Sequence, residues 1–330
     1  MPGINSPEYL QILEKLKNSR SVLITSHVNP DGDNISSCAS LAMGLEKLGK
    51  KTAIALNSPV PYIYKFMQHT SQFISFQELE NSRQFFDCAM VLDVGNLKRV
   101  GETTDLKKFT ELILNIDHHV RTEMCGHISF VDSSYSSTAE IIYNVLLDLN
   151  VKIDRDIADN LYVGIMTDTG NFQFQNTTAS ALRTAGALVE LGASPEFLNK
   201  KVYFSNRPAK ILLMGKVLAN LKFTDDYKIG WISATKEIID NCGASSDDLE
   251  NVINNVTSVD GIEVAILFRD LNDGTIKLSL RARGNADVQK YALKYGGGGH
   301  KKASGMVLNG KLDFVVNKVI SEMREHINDY

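Results

Sequence analysis

The chain is poor in the usual marks of a stapled, secreted or membrane-bound protein. Its four cysteines, Cys38, Cys88, Cys125 and Cys242, include no CxxC pair, so the spacing suggests neither a zinc ribbon nor a disulfide framework, and a reducing cytoplasm fits best. No apolar run approaches the roughly 18 residues that a bilayer span requires, and the amino terminus lacks a basic-then-apolar leader. The expectation is a cytoplasmic protein that neither enters nor crosses a membrane. A basic excess is missing as well. The formal charge of -4 argues against broad binding of polyanions, so no long duplex nucleic acid is expected as a partner. At 330 residues the chain exceeds what one core usually organises, and two domains are expected.

Chemistry is concentrated in four places. The first is Ser26-His27-Val28-Asn29-Pro30-Asp31-Gly32-Asp33, which follows an apolar run at 22–25 that reads as a buried parallel strand. Pro30 and Gly32 supply a tight turn that can aim His27, Asp31 and Asp33 into one cleft at the strand's carboxyl end. Two aspartates one residue apart can reach two different ions. The second is Asp93, which closes the run 89–92 and precedes Gly95. The third is Asp117-His118-His119, reached directly from Leu112-Ile113-Leu114-Asn115-Ile116. Three titratable groups at the end of a buried strand are costly unless paired or metal-bound. The fourth is Asp168, which ends the apolar segment 162–167 just before Gly170.

Around these positions the pattern alternates. An amphipathic helix is expected over 7–17, facing inward through Leu10, Ile12, Leu13 and Leu16, and another over 36–48 that stops at Gly49. Further strand-like runs lie at 52–56, 88–94, 112–116 and 128–131, which predicts an α/β fold with a mostly parallel sheet flanked by helices. A helix over 178–191 ends at Gly192. From Ile229 the pattern changes to short strands and helices, including 264–268 and 276–280. The expected division is a catalytic domain at 1–192, a helical connector at 193–218 and a smaller α/β substrate-binding domain at 219–330.

In that second domain, Ser279-Leu280-Arg281-Ala282-Arg283 precedes Gly296-Gly297-Gly298-Gly299-His300-Lys301-Lys302. Successive glycines let backbone amides approach a phosphate, and His300 with neighbouring cations can complete an anion site. Residues 268–302 hold eight Lys or Arg against three Asp, a basic island in an acidic protein.

Taken in this order, the four acidic positions and the Asp117-His118-His119 triplet resemble the DHH-type phosphoesterases over nearly the whole chain, and the Gly296–His300 run resembles the DHH-associated domain of their standalone nanoRNase and pAp-phosphatase members. The resemblance implies one metal held by His27, Asp31 and Asp93, and a second held by Asp33, Asp93, His118 and Asp168. It implies that Asp117 orients a neighbouring histidine, that His119 faces the substrate as a catalytic group, and that Arg281, Gly297, Gly298, Gly299 and His300 bind substrate. Mixed imidazole and carboxylate donors without thiolate suit manganese, two Mn2+ per chain, with other divalent ions left open. The implied activity is hydrolysis of very short RNA to mononucleotides together with dephosphorylation of pAp. Cleavage of cyclic or linear dinucleotides stands as the alternative, and an inorganic pyrophosphatase or a noncatalytic nucleotide-binding module stands behind it. A homodimer is left open. Three positions depart from the family pattern: Ala282 replaces the usual serine after the arginine, Asn29 stands where many relatives carry arginine, and Asn34 follows Asp33.

Overall fold

A computed structural model describes residues 6–119, 125–249 and 251–328, with the side chains of residues 300 and 328 excepted. The chain divides into two compact units, Met1–Ser205 and Asn206–Tyr330. Among the described residues, no helix is long and apolar enough to cross a membrane.

The first unit runs α1 (Pro7–Asn18), β1 (Ser21–Thr25), α2 (Gly32–Lys47), β2 (Lys51–Leu56), β3 (Phe73–Ser75), α3 (Phe76–Ser82), β4 (Cys88–Leu92), β5 (Ile113–Asp117), β6 (Ile128–Val131), α4 (Thr138–Asp148), α5 (Arg155–Asp168), α6 (Ala179–Glu190) and α7 (Pro195–Tyr203). Its six strands lie in the order β3-β2-β1-β4-β5-β6, and every neighbouring pair is parallel. The order reverses between β1 and β4, and in a sheet of this kind the crevice beyond the strands' carboxyl ends at that point is where ligands bind. Strand alternation fills both faces. Val22, Ile24, Met90, Leu92, Leu114 and Ile116 enter the core shared with α1, α2, α4 and α5. Leu23, Ala89, Val91 and Ile113 enter the core on the opposite face with Leu79 of α3.

Two local details differ from the pattern read in the sequence. Helix α1 buries Tyr9, Ile12, Leu13 and Leu16, whereas Leu10 is exposed. The Ser6 hydroxyl caps the helix by accepting from Tyr9 N, which fixes its rotation, and Tyr9 lies edge-on to Phe130 with its hydroxyl donating to Asp148 at 2.7 Å. Helix α2 begins at Gly32, four residues earlier than its apolar run suggested, because the Asp31 carboxylate caps it by accepting from Asn34 N at 3.0 Å. Asp33 therefore sits in the helix's first turn. The apolar segment that ends at Asp168 is helical too, capped by Asp154.

The second unit contains α8 (Pro208–Leu218), β7 (Lys222–Phe223), β8 (Ile229–Ala234), α9 (Lys236–Asn241), α10 (Ile253–Thr257), β9 (Val264–Asp270), β10 (Thr275–Ala282), α11 (Val288–Leu293), β11 (Gly298–His300), β12 (Ala303–Asn309) and α12 (Leu312–Asn328). Its sheet, ordered β11-β12-β10-β9-β8-β7, is mixed: β8 and β9 are parallel and the other neighbours antiparallel. The stretch 193–218 is shared between the units as α7 and α8, with Ser205 and Asn206 at the division.

The three helices nearest the first unit's crevice pack closely because α5 presents Gly164. A Cβ there would lie 2.5 Å from Ser36 Oγ of α2 and 2.5 Å from Ala139 Cβ of α4, distances that no real Cβ tolerates. Gly164→Val is expected to force the helices apart and to destabilise the protein by about 1–3 kcal/mol, the usual penalty of overpacking a close-packed core. Equilibrium urea unfolding checks this through a lowered midpoint at unchanged slope.

Candidate metal centre

The carboxyl ends of β1, β4 and β5 bring the acidic and imidazole groups together beside the amino end of α2 and the carboxyl end of α5. His27 is nearly buried. Its Nδ1–H donates to the Val28 carbonyl at 2.8 Å, an assignment forced because a carbonyl can only accept. Nε2 is thereby turned toward the acids, 3.3 Å from Asp93 Oδ2 and 4.0 Å from Asp31 Oδ2. Such a tautomer lock is what a metal-binding imidazole usually has. His118 stands on the other side, with Nε2 3.6 Å from Asp93 Oδ1 and 3.5 Å from Asp168 Oδ2.

Asp93 stands at the middle. It is 2% exposed and adopts a left-handed backbone, φ 58°, at the exit of β4. Its two oxygens face different partners: Oδ2 faces His27, and Oδ1 faces His118, His119 and the Thr138 hydroxyl, which donates at 3.2 Å. Asp33 is held from the other side, accepting from Thr138 N at 2.7 Å and Ala139 N at 2.8 Å, the first amides of α4. Three sets of groups each have donor atoms within 4.8 Å of one another: His27 with Asp31 and Asp93, Asp33 with His118 and Asp168, and Asp93 with His118 and His119.

In the third set the His119 nitrogen nearest Asp93 is Nδ1, at 3.4 Å, and that nitrogen already donates to Asp117 Oδ1 at 2.6 Å. Asp117 is fully buried and also accepts from His119 N. Burial disfavours the charged imidazole of His119, but the bond to Asp117 and the nearby Asp93 charge outweigh it and raise its pKa to about 9.

The electrostatics are those of a cage with too much negative charge. Burial, then the neighbouring Asp93 and Asp31 carboxylates, push Asp33 well above the usual carboxylate range. Burial and the charges of Asp33, Asp31 and Asp93 do the same to Asp168. For Asp93 burial also acts upward, but the hydrogen bond from His27 and the charges of His119, His27 and His118 hold it below its ordinary value. Buried carboxylates that must take up protons to coexist are what a divalent cation neutralises. The donors are imidazole nitrogen and carboxylate oxygen, hard to intermediate ligands that fit Mn2+.

Three contributors escape a reading of motifs alone. Thr138 serves Asp93 with its hydroxyl and Asp33 with its amide, and the signal for it was the Ser137-Thr138-Ala139-Glu140 start of a capped helix. Asn176 donates to the Asp168 carbonyl at 3.1 Å and lies 3.4 Å from its carboxylate. Asn115 is taken up below.

In the second unit, Arg281 and His300 both pair with Ala303, from opposite sides of β12, so they share one row of the sheet. The Arg281 guanidinium donates to the Leu280 carbonyl at 3.1 Å. The side chain of His300 lies outside the described residues. Ala282 points to the other face, into the apolar core. Two of the glycines have a packing reason: a Cβ on Gly297 would meet Gly305 O at 2.3 Å, and one on Gly299, at φ 132°, would meet Ala303 O at 2.4 Å. Gly298 faces open space.

The sequence matches the model of the DHH family N-terminal domain over residues 21–165 and that of the DHHA1 domain over residues 234–327. It is 31% identical to a Thermus thermophilus protein named bifunctional oligoribonuclease and PAP phosphatase NrnA, over 93% of this chain and 90% of that protein. It is 26% identical to the Bacillus subtilis protein of the same name, over 86% and 88% of the two chains. The crystal structure of an exopolyphosphatase-related protein from Bacteroides fragilis is similar at a TM-score of 0.89 and 27% identity, covering 96% of this chain and 94% of that one.

Asp33, Asp168 and His27 hold protons more tightly in the metal-free folded chain than in the unfolded one. Their contribution to stability is therefore present at low pH and lost as pH rises, whereas cation binding gains as those protons leave. The rise in Tm on adding Mn2+ is expected to be larger at pH 8 than at pH 6, with protons released on binding. Calorimetric titration in buffers of different ionisation heat measures the release, and a Tm shift independent of pH would contradict the assignment.

Proposed function

The chain belongs to the DHH family, and from that premise we propose that it is a manganese-dependent phosphoesterase that hydrolyses very short RNA to mononucleotides and removes phosphate from pAp. The observation that carries the reading is the buried Asp93 carboxylate, one oxygen toward His27 and Asp31 and the other toward His118. A carboxylate divided in this way is suited to bridging two ions. His27, Asp31 and Asp93 would hold one, and Asp33, Asp93, His118 and Asp168 the other. Divalent ions held by these residues would supply Lewis acidity, making a water more acidic near neutral pH and offsetting negative charge on a phosphate.

The remaining work falls to the chain's own groups. The Val28 carbonyl fixes the tautomer of His27. The amides of Thr138 and Ala139 aim Asp33. Asp117 holds His119 by Nδ1, and in the metal-free chain that bond and the Asp93 charge favour the protonated imidazole; in that form His119 can hydrogen-bond a phosphate oxygen and give a proton to the leaving group. Arg281, Gly298 and His300 in the second unit would bind the nucleotide through its phosphates, a sequence-tolerant mode. The nucleotide substrates are supported by the relatives at 31% and 26% identity, whose names state oligoribonuclease and PAP phosphatase activity. A panel of two- to five-nucleotide RNAs, long RNA, pAp, cyclic dinucleotides and pyrophosphate, each with Mn2+, tests the assignment. Preference for pyrophosphate or for cyclic dinucleotides would replace it.

Two substitutions separate the roles. His119→Ala is expected to bind Mn2+ like the wild type while kcat falls by roughly 100- to 10,000-fold, the range for losing a general acid; a lost ion in that variant would make His119 a ligand. Arg281→Ala is expected to lower kcat/KM for a dinucleotide by the equivalent of about 1.5–3 kcal/mol, as for a charge-assisted hydrogen bond. Turnover of bis-p-nitrophenyl phosphate, which has no nucleotide to bind, should change far less. Equal losses on the two substrates would assign Arg281 to folding.

A further inference from the structure

Asn115 is a fully buried amide in the middle of β5, in a position where the adjoining residues Leu114 and Ile116 are core aliphatics. Its Nδ2 donates to the Val91 carbonyl at 3.2 Å and the Val94 carbonyl at 3.1 Å. Those carbonyls bracket Leu92 and Asp93, so one side chain clasps both ends of the turn that carries the shared carboxylate. The orientation is fixed chemically: with the amide reversed, its oxygen would face two carbonyl oxygens. The remaining amide oxygen has no partner among the described residues, and a buried amide that leaves one atom unsatisfied is a cost that an isosteric leucine would avoid.

The turn needs the clasp. Asp93 holds a left-handed φ of 58°, a conformation that a residue with a side chain keeps only when its surroundings impose it. The surroundings supply three ties: Asp93 N donates to the Ile116 carbonyl at 3.0 Å, the Ser26 hydroxyl donates to the Leu92 carbonyl at 2.5 Å, and Asn115 ties the carbonyls on either side. An extended backbone at residue 93 would turn the carboxylate away from at least one of the histidines that its two oxygens face. We propose that Asn115 is a positioning residue, which holds the strand-to-loop turn at Asp93 in the left-handed form that lets one carboxylate serve two metal positions.

This inference rests on the metal-centre reading given above, and the test keeps the two apart. The full-length protein, stripped with chelator, is titrated with Mn2+ by calorimetry and by the loss of the free-ion electron paramagnetic resonance signal. The variants are Asn115→Leu, which removes both donors at nearly constant volume, Asn115→Ser, which keeps one, and Ile54→Ala, a core truncation in β2 of the same sheet. Asn115→Leu is expected to bind Mn2+ 10- to 100-fold more weakly, the usual effect of removing a group that supports a metal ligand, and to recover turnover at high Mn2+. Asn115→Ser should fall between it and the wild type. Ile54→Ala should lose thermal stability but keep its Mn2+ affinity. Wild-type affinity in Asn115→Leu, or in Asn115→Ser should the leucine variant not fold, overturns the proposal, as does an equal loss of affinity in Ile54→Ala. A wild-type protein that takes up no Mn2+ would instead remove the metal-centre reading itself.

Discussion

One buried carboxylate sets the terms for the first unit. Asp93 lies at the point where the strand order reverses, and its oxygens face imidazoles delivered by β1 and by the end of β5. A charge in that position is tolerated only because positive or hydrogen-bonding groups approach it from every side. The surrounding acids are less fully compensated: the amides of Thr138 and Ala139 favour the charged form of Asp33, but burial and the neighbouring carboxylates outweigh them. Asp33 and Asp168 are pushed toward their protonated forms by burial and by neighbouring carboxylates, a penalty on the charged forms that a bound cation would relieve. The stability of the fold and the chemistry of the site are thus coupled through the same groups.

The helices serve this arrangement more than they serve the sheet. Helix α4 spends its first two amides on Asp33, where they help to orient the charge. Asp31 both caps α2 and stands among the candidate ligands, so the start of that helix and the geometry of the cleft cannot change independently. Gly164 allows α5 close enough to α2 and α4 for Asp168 to reach His118. Small residues at these contacts are a requirement of distance, not of flexibility.

In the second unit the glycine run has two explanations that divide by position. Gly297 and Gly299 are demanded by the close approach of β12, a packing constraint that any function would share. Gly298 meets nothing, and its freedom is the part that suits an approaching phosphate. Arg281 and His300 belong to one row of the sheet through their common neighbour Ala303, which gives the basic island a defined edge, whereas Ala282 belongs to the core on the opposite face.

Much of the framework is local and was legible in the sequence. The parallel strands announce themselves as short apolar runs, and each of β1, β4 and β5 stops at a polar cluster because a buried strand cannot carry His27, Asp93 or His118 through its middle. Helix starts were less legible: Asp31 looked like a turn residue and proved to be a cap, since the same carboxylate chemistry serves both. The face of α1 was misjudged at Leu10 because a period of 3.6 leaves two registers open until Ser6 fixes the first turn. Sequence by itself determined which residue types arrive at the ends of the strands and in what order. Only the tertiary structure decided which oxygen faces which histidine, that Thr138 and Asn115 take part, and that Asp93 adopts a left-handed backbone. Those facts depend on hydrogen bonds between residues 21 to 105 positions apart, and no local pattern encodes contacts of that reach.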